Sequence, residues 1–204
     1  MEPCVEVMHI RPQDVSIDLD EARRYMGYPR NADTSDTADI IRRAHDEVMK
    51  ALKPAASFLR TQIAISVDEV DMGCIRFTSS SLARNLSGCD RAFLFAATCG
   101  PMVDGLVARR QRFSLAEGAV YDAVASAAAE GVCNEVCRRL KEISCSSLRP
   151  RFSPGYGDLS IEVQPGFLGV LDAARKVGIT LTDNFLMIPT KSVTAIVGEG
   201  VGNK

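Results

Sequence analysis

The chain has 204 residues and a formal net charge of −2, with 46% hydrophobic and 25% charged residues. This composition is typical of one globular domain that buries its core without disulfides or metals, and it excludes the basic surface of a nucleic-acid-binding protein. The N-terminus carries charges and prolines rather than an apolar run, and no segment reaches the roughly 20 apolar residues that cross a bilayer. We therefore expect a cytoplasmic protein with a single domain over residues 1–204, and neither nucleic acid nor membrane as a partner.

Hydrophobic periodicity and capping residues predict the elements of the first half. In chain order they are a strand at Val5–Ile10, a helix at Leu19–Tyr25, a helix at Asp36–Leu52, strands at Phe58–Val67 and Cys74–Phe77, a helix at Ser79–Leu86 and an apolar strand at Ala92–Thr98. Ser35 or Thr34 is the expected cap of the second helix. A turn at Cys99–Pro101 follows the apolar strand.

Helices dominate the start of the second half, and short strands end it. We predict helices at Met102–Arg110, from Ser114 to about Ile143, and from Pro165 to Gly178, then strands at Phe185–Ile188 and Val193–Val197. Ser114 and Glu117 have the spacing of a capping box. Strands and helices do not alternate regularly, and neither a dinucleotide-binding glycine pattern nor a P-loop occurs. The predicted fold class is α+β, with a mostly antiparallel mixed sheet and long helices.

Seven cysteines are present, and no Cys-x-x-Cys pair occurs among them. Cys133 and Cys137 share a face of the long predicted helix and could in principle hold a metal. The two histidines, His9 and His45, form no ligand spacing with them. Free buried thiols in a reducing compartment are the simpler interpretation. A thiol- or metal-based redox protein remains a separate hypothesis, which metal analysis would test.

The segment Arg151–Asp158, which reads Arg-Phe-Ser-Pro-Gly-Tyr-Gly-Asp, is the most informative stretch of the chain. Proline fixes one backbone angle, and the glycines permit conformations closed to other residues. Arg151 offers a planar fork suited to a carboxylate, and Tyr156 offers a ring and a hydroxyl. An amino-acid carboxylate beside a flat heterocycle fits such a loop. A turn with a structural arginine would have the same sequence.

Glu130 lies among small and apolar residues of the long predicted helix. If its carboxylate were buried there, it would need a partner, such as a cationic ligand or Arg151. Asp122 and Ser126 precede it at four-residue spacing, so all three side chains can line one face of the helix. The alternative is that Glu130 and Asp122 point to solvent.

Arg151, Gly155 and Tyr156 match the Arg-x-x-x-Gly-Tyr signature of the activation domain of cobalamin-dependent methionine synthase, which this chain resembles. The stretch Met187–Ile196 resembles that domain's Pro-x-x-Ser-Val-Ser segment, and Ala125 with Glu130 resembles its Ala-x-x-x-x-Glu helix. The resemblance covers about 114–197, and the first hundred residues resemble the short, free-standing members of the family. In the longer enzymes a proline- and cysteine-containing segment follows Gly-Tyr, whereas Gly157 and Asp158 follow here.

The resemblance implies an S-adenosylmethionine-binding domain that docks over a cobalamin-binding partner. An electron from a flavodoxin-like or other low-potential donor and a methyl group from S-adenosylmethionine would restore methylcobalamin there. The predicted cofactor-binding residues are Arg151, Ser153, Gly155, Tyr156 and Glu130. No cobalamin-binding Asp-x-His-x-x-Gly and no zinc-thiolate signature occurs, so we expect the chain to act in trans on methionine synthase or another corrinoid protein. The alternative is a regulatory subunit that binds without transferring methyl groups.

Overall fold

A computed structural model describes residues 4–28 and 35–200 of the chain. The helices are α1 (Leu19–Tyr25), α2 (Ser35–Ala51), α3 (Ser80–Asn85), α4 (Pro101–Phe113), α5 (Leu115–Ser144), α6 (Gln164–Val170) and α7 (Ala173–Val177), with 3₁₀ turns at Pro12–Asp14 and Ile161–Val163. The strands are β1 (Glu6–His9), β2 (Ala55–Gln62), β3 (Ala64–Ile65), β4 (Glu69–Asp71), β5 (Arg76–Thr78), β6 (Arg91–Thr98), β7 (Thr180–Leu181), β8 (Met187–Ile188) and β9 (Ser192–Glu199).

The main sheet has four strands in the order β1-β2-β6-β9. Strand β6 lies at its centre and pairs along its full length with β2 on one side and β9 on the other. Two small sheets, β3-β4-β5 and β7-β8, complete the strands of the described residues. Every one of these pairings is antiparallel. The predicted α+β class, with antiparallel pairing and long helices, is confirmed.

Hydrophobic cores cover both faces of the main sheet. Phe93 and Phe95 of β6 point into a first core, formed with α1, α2, α4 and α5. Leu94 and Ala96 of the same strand point into a second core, formed with α3, α6, α7 and the small sheet β3-β4-β5. Because successive side chains alternate between faces, burial on both faces explains why β6 reads as an unbroken apolar run.

The best-predicted helices are those with a capping side chain. Helix α1 has the predicted bounds, and the Asp18 carboxylate accepts hydrogen bonds from the amides at its start. The hydroxyls of Ser79 and Ser114 cap α3 and α5 in the same way. For α2, the predicted caps Thr34 and Ser35 have side chains outside the described residues. None of the described helices is long and apolar enough to span a bilayer.

The predicted capping box of α5 forms only in part. Ser114 Oγ accepts a 3.2 Å hydrogen bond from the Glu117 amide. The reciprocal bond does not form, because the Ser114 amide donates to the Arg110 carbonyl of α4. The Glu117 carboxylate instead pairs with Arg43 of α2 at 2.9 Å. Glu117 therefore connects two helices rather than closing its own first turn.

Some predicted boundaries were wrong where pairing or burial overrides local preference. The predicted strand Phe58–Val67 begins earlier, at Ala55, and breaks at Ile63, whose amide donates to the Asp90 carbonyl. The strand predicted at Cys74–Phe77 begins only at Arg76. Strands β4 and β7 were not predicted. Such short segments owe their pairing to neighbouring strands rather than to their own sequence.

The helix predicted from Pro165 to Gly178 is two helices, α6 and α7. Asp172, between them, has a left-handed φ of 48°. The break lets Leu171 and Ala173, both fully buried, enter the second core. The strand predicted at Phe185–Ile188 is the shorter β8, which begins only at Met187. Phe185 has a φ of 61°, which is not an extended conformation, so it cannot be part of the strand.

Candidate functional site

Residues 148–152 form an extended edge beside β9, and this edge sets the direction of Arg151. Phe152 lies opposite Ile196, and the two residues exchange backbone hydrogen bonds of 2.9 and 2.8 Å. Their side chains both pack into the second core. Because neighbouring side chains of an extended segment point to opposite faces, Arg151 is directed to the other side, toward α5.

Arg151 and Glu130 meet at the resulting junction. Arg151 Nη2 donates a 2.6 Å hydrogen bond to Glu130 Oε2, and the two side chains are 26% and 34% exposed. The guanidinium has five N–H donors, and Nη1 is buried without a hydrogen-bond partner of ordinary geometry among the described residues. The structure thus brings together two of the predicted site residues, and the guanidinium keeps donors to spare.

Thiols and a tyrosine surround this ion pair. Burial raises the pKa of the Cys137 thiol, and the nearby Arg151 partly offsets the shift. Burial would lower the pKa of Arg151, but the neighbouring side chains of Cys133, Glu130 and Cys137 together outweigh it, so the pKa is raised. Burial, followed by the carboxylates of Glu21 and Glu130, raises the pKa of Tyr25. Arg151 therefore stays protonated, and Tyr25 of α1 lies within the electrostatic reach of Glu130.

The predicted loop residues lie beyond Arg151 in a tight turn. Gly155 has a φ of 91°, and its amide donates to the Leu159 carbonyl at 2.8 Å. This amide is therefore engaged inside the loop and is not open to a ligand. Ser153 is half-buried, and its carbonyl accepts from the Tyr156 amide at 3.1 Å.

Tyr156 is 61% exposed, and its ring meets the Phe152 ring edge-on at a centroid distance of 6.5 Å. Phe152 packs into the second core, whereas Arg151 faces α5. Tyr156 has the free surface that a stacking role requires.

Asp158 fastens the end of this loop to α3. Its carboxylate accepts hydrogen bonds from the hydroxyls of Ser79 and Ser80, and from the amides of Ser80 and Ser81 at 2.9 and 3.1 Å. Ser79 and Ser80 hold the pKa of Asp158 well below its usual range. A Cβ at Gly157 would lie 2.9 Å from Ser81 Cβ, so the glycine permits this close approach.

A second cation, Lys191, was not predicted. Its ammonium group lies 2.8 Å from Asp122 Oδ1 and 2.9 Å from Ser126 Oγ. Asp122, Ser126 and Glu130 thus line one face of α5, as their spacing predicts. Lys191 follows β8 and precedes β9, 69 positions from Asp122 along the chain. In the sequence, the only indication that Lys191 belongs to the site is its position in the Met187–Ile196 stretch.

Two hydroxyl side chains of the Met187–Ile196 stretch have buried structural partners. Ser192 Oγ donates to Thr98 Oγ1, and Thr194 Oγ1 donates to Gln164 Oε1, each at 2.9 Å and buried. Cys133 is a buried free thiol and Cys137 a half-buried one. Over residues 4–28 and 35–200, no cluster of three or more His, Cys, Asp or Glu side chains could hold a metal ion.

The fold and the site together describe an α+β domain with a charged junction between one sheet edge and its longest helix. Neither protein-family profiles nor curated protein sequences give a significant match. Among solved structures, the chain is similar to the MetH reactivation domain bound to AdoHcy, with a TM-score of 0.75 and 16% sequence identity. The match covers 98% of this chain and 80% of that domain. At this identity the comparison establishes a shared fold.

Proposed function

We propose that this chain binds S-adenosylmethionine at the Arg151–Glu130 pair and acts in trans in the reductive remethylation of cobalamin. The cobalamin would be held by a methionine synthase or another corrinoid protein, and a flavodoxin-like or other low-potential donor would supply the electron. The observation that carries the proposal is the half-buried pair at 2.6 Å, which joins Arg151 of the Arg-x-x-x-Gly-Tyr motif to Glu130 of the Ala-x-x-x-x-Glu helix. The shared fold with a domain that binds AdoHcy supports it.

The chemistry of the pair fits the amino-acid end of this ligand. An α-amino acid carries a carboxylate and an ammonium group on one carbon. Spare N–H groups of Arg151 would donate hydrogen bonds to the ligand carboxylate in a fork geometry, and the Glu130 carboxylate would accept hydrogen bonds from the ammonium group. A zwitterion can therefore bind across the ion pair without leaving either protein charge unpaired, which is the condition for favourable burial.

Titration calorimetry with S-adenosylmethionine and S-adenosylhomocysteine tests the binding step. Arg151→Ala should weaken both ligands about ten- to a hundredfold, since a charge-assisted hydrogen bond contributes about 1.5–3 kcal/mol. Arg149→Ala is the matched control, because Arg149 lies on the same edge segment but donates to the Ser87 carbonyl at 2.8 Å. Equal affinity for the wild type and Arg151→Ala would remove Arg151 from the site.

The reactivation step needs the candidate corrinoid protein in its Co(II) form. Adding this chain, S-adenosylmethionine and a low-potential reductant should regenerate methylcobalamin, which is visible in the absorption spectrum. The mixture without this chain, and the mixture with Arg151→Ala, should recover slowly. If the ligand binds but methylcobalamin never returns, or returns equally fast without this chain, the protein is a binding subunit and not a reactivation module.

A further inference from the structure

Lys191 occupies an unusual position for a lysine, since little of it is in water. Its side chain is 13% exposed, whereas lysines usually keep their ammonium groups hydrated. The Asp104 carboxylate accepts hydrogen bonds from the amides of Thr190 and Lys191 at 2.6 and 3.4 Å. The Cys99 amide donates to the Lys191 carbonyl at 2.9 Å. Backbone and side chain are both held, so the charge has a fixed place.

That place is one helical turn from the proposed ligand pair. The Lys191 ammonium donates to Ser126, and Ser126 precedes Glu130 by four residues on α5, which is a separation of about 6 Å along the helix axis. Asp122, Ser126 and Glu130 form a polar stripe, with Lys191 facing its first half and Arg151 its second. The two carboxylates of the stripe and the two cations that face it carry charges that sum to zero.

We propose that Lys191 sets the selectivity of this site between a cationic sulfonium ligand and its neutral thioether counterpart. The proposal rests on the binding of S-adenosylmethionine described above. The amino-acid ends of S-adenosylmethionine and S-adenosylhomocysteine are the same, and the two ligands differ by one positive charge at sulfur. By cancelling the charge of Asp122, Lys191 keeps the stripe neutral beside Glu130, so that the site does not favour the cation through its field alone.

Substitutions of the two partners should move selectivity in opposite directions. Lys191→Met leaves Asp122 unpaired, and it should raise the ratio of the thioether Kd to the sulfonium Kd about three- to fivefold, as expected for one charge roughly 10 Å away at an intermediate dielectric constant. Asp122→Asn leaves Lys191 unpaired and should lower the same ratio by a similar factor. The double variant should return the ratio to the wild-type value.

Calorimetric titration of both ligands into the wild type and these three variants is the test. Lys141→Met is the control, since this exposed lysine lies about 16 Å along α5 from Glu130, and its ratio should equal that of the wild type. Loosening of the Thr190–Lys191 loop would weaken the binding of both ligands alike and leave the ratio of their Kd values unchanged. The ratio therefore distinguishes an effect of the Lys191 charge from an effect on the loop structure. Asp122, which is 47% exposed, provides a variant that tests the charge while the backbone anchors of the loop remain.

The outcomes separate this inference from the proposed function. If the wild type binds neither ligand, the proposed function fails. If the wild type binds both ligands and the ratio stays constant in Lys191→Met and in Asp122→Asn, the inference is overturned and the proposed function stands. A shift of the ratio in opposite directions in Lys191→Met and Asp122→Asn supports the role of Lys191.

Discussion

Gly131, next to Glu130 on α5, is expected to resist replacement by alanine. The segment before α1 passes so close that a Cβ at Gly131 would lie 3.1 Å from Val15 Cγ1 and nearer still to the Ser16 carbonyl oxygen. Val15 is buried in the first core, and a carbonyl of the main chain cannot swing aside as a flexible side chain can. Gly131→Ala must therefore move the whole segment away from the helix.

The net cost follows from two opposing contributions. Overpacking a close contact costs about 1–3 kcal/mol, while alanine in place of glycine in a helix recovers about 1 kcal/mol. Because the clash involves backbone, we take the upper part of the overpacking range, about 2–3 kcal/mol. After the gain in helix propensity is subtracted, Gly131→Ala should lower the free energy of unfolding by about 1–2 kcal/mol. For a chain of this size, that change lowers Tm by about 2–8 °C.

Thermal unfolding and urea denaturation of a matched pair provide the assay. Gly105 lies exposed within α4, and a Cβ there would meet no atom within 4 Å. Gly105→Ala should therefore raise Tm by about 2–4 °C through helix propensity alone. A Gly131→Ala variant that melts at or above the wild-type temperature would refute the reasoning, because helix propensity would then outweigh the contact with Val15 and Ser16.

The remaining predictions concern the loop and the thiols. Asp158→Asn should lower the free energy of unfolding at neutral pH. Because the folded pKa of Asp158 is depressed, the difference in unfolding free energy from the wild type should be complete above about pH 4 and shrink as the pH falls further. A difference that persists at low pH in equilibrium unfolding would contradict this. Tyr156→Phe should weaken the binding of S-adenosylmethionine by about 1 kcal/mol at most, and Tyr156→Ala should weaken it by more. Equal losses of binding in the two variants, measured by titration, would mean that the ring does not contact the ligand. Burial raises the pKa of Cys99 to about 12, so iodoacetamide at pH 8 should spare it in the folded protein, and peptide mass spectrometry that finds Cys99 alkylated first would count against the burial. The thiols expected to react first are those exposed in the structure: Cys4, Cys74 and Cys145.

The elements best predicted from the sequence are those whose determinants are local. Asp18, Ser79 and Ser114 cap helices within three residues of their own positions, and such capping depends only on neighbouring backbone amides. The apolar run of β6 likewise indicated a strand, and the structure buries that strand on both faces. The four-residue spacing of Asp122, Ser126 and Glu130 places them on one helix face, whatever packs against that helix.

Only the tertiary structure decided which residues meet across the chain. The left-handed Asp172, which divides α6 from α7, serves the burial of Leu171 and Ala173 and has no local signal. Arg151 reaches Glu130 because Phe152 pairs opposite Ile196, and a shift of this register by one residue would turn Arg151 to the other face. Lys191 reaches Asp122 through a loop anchored by Asp104. Register and loop anchoring depend on contacts between residues far apart in the chain. Residue types and local spacing do not specify which of these residues pair.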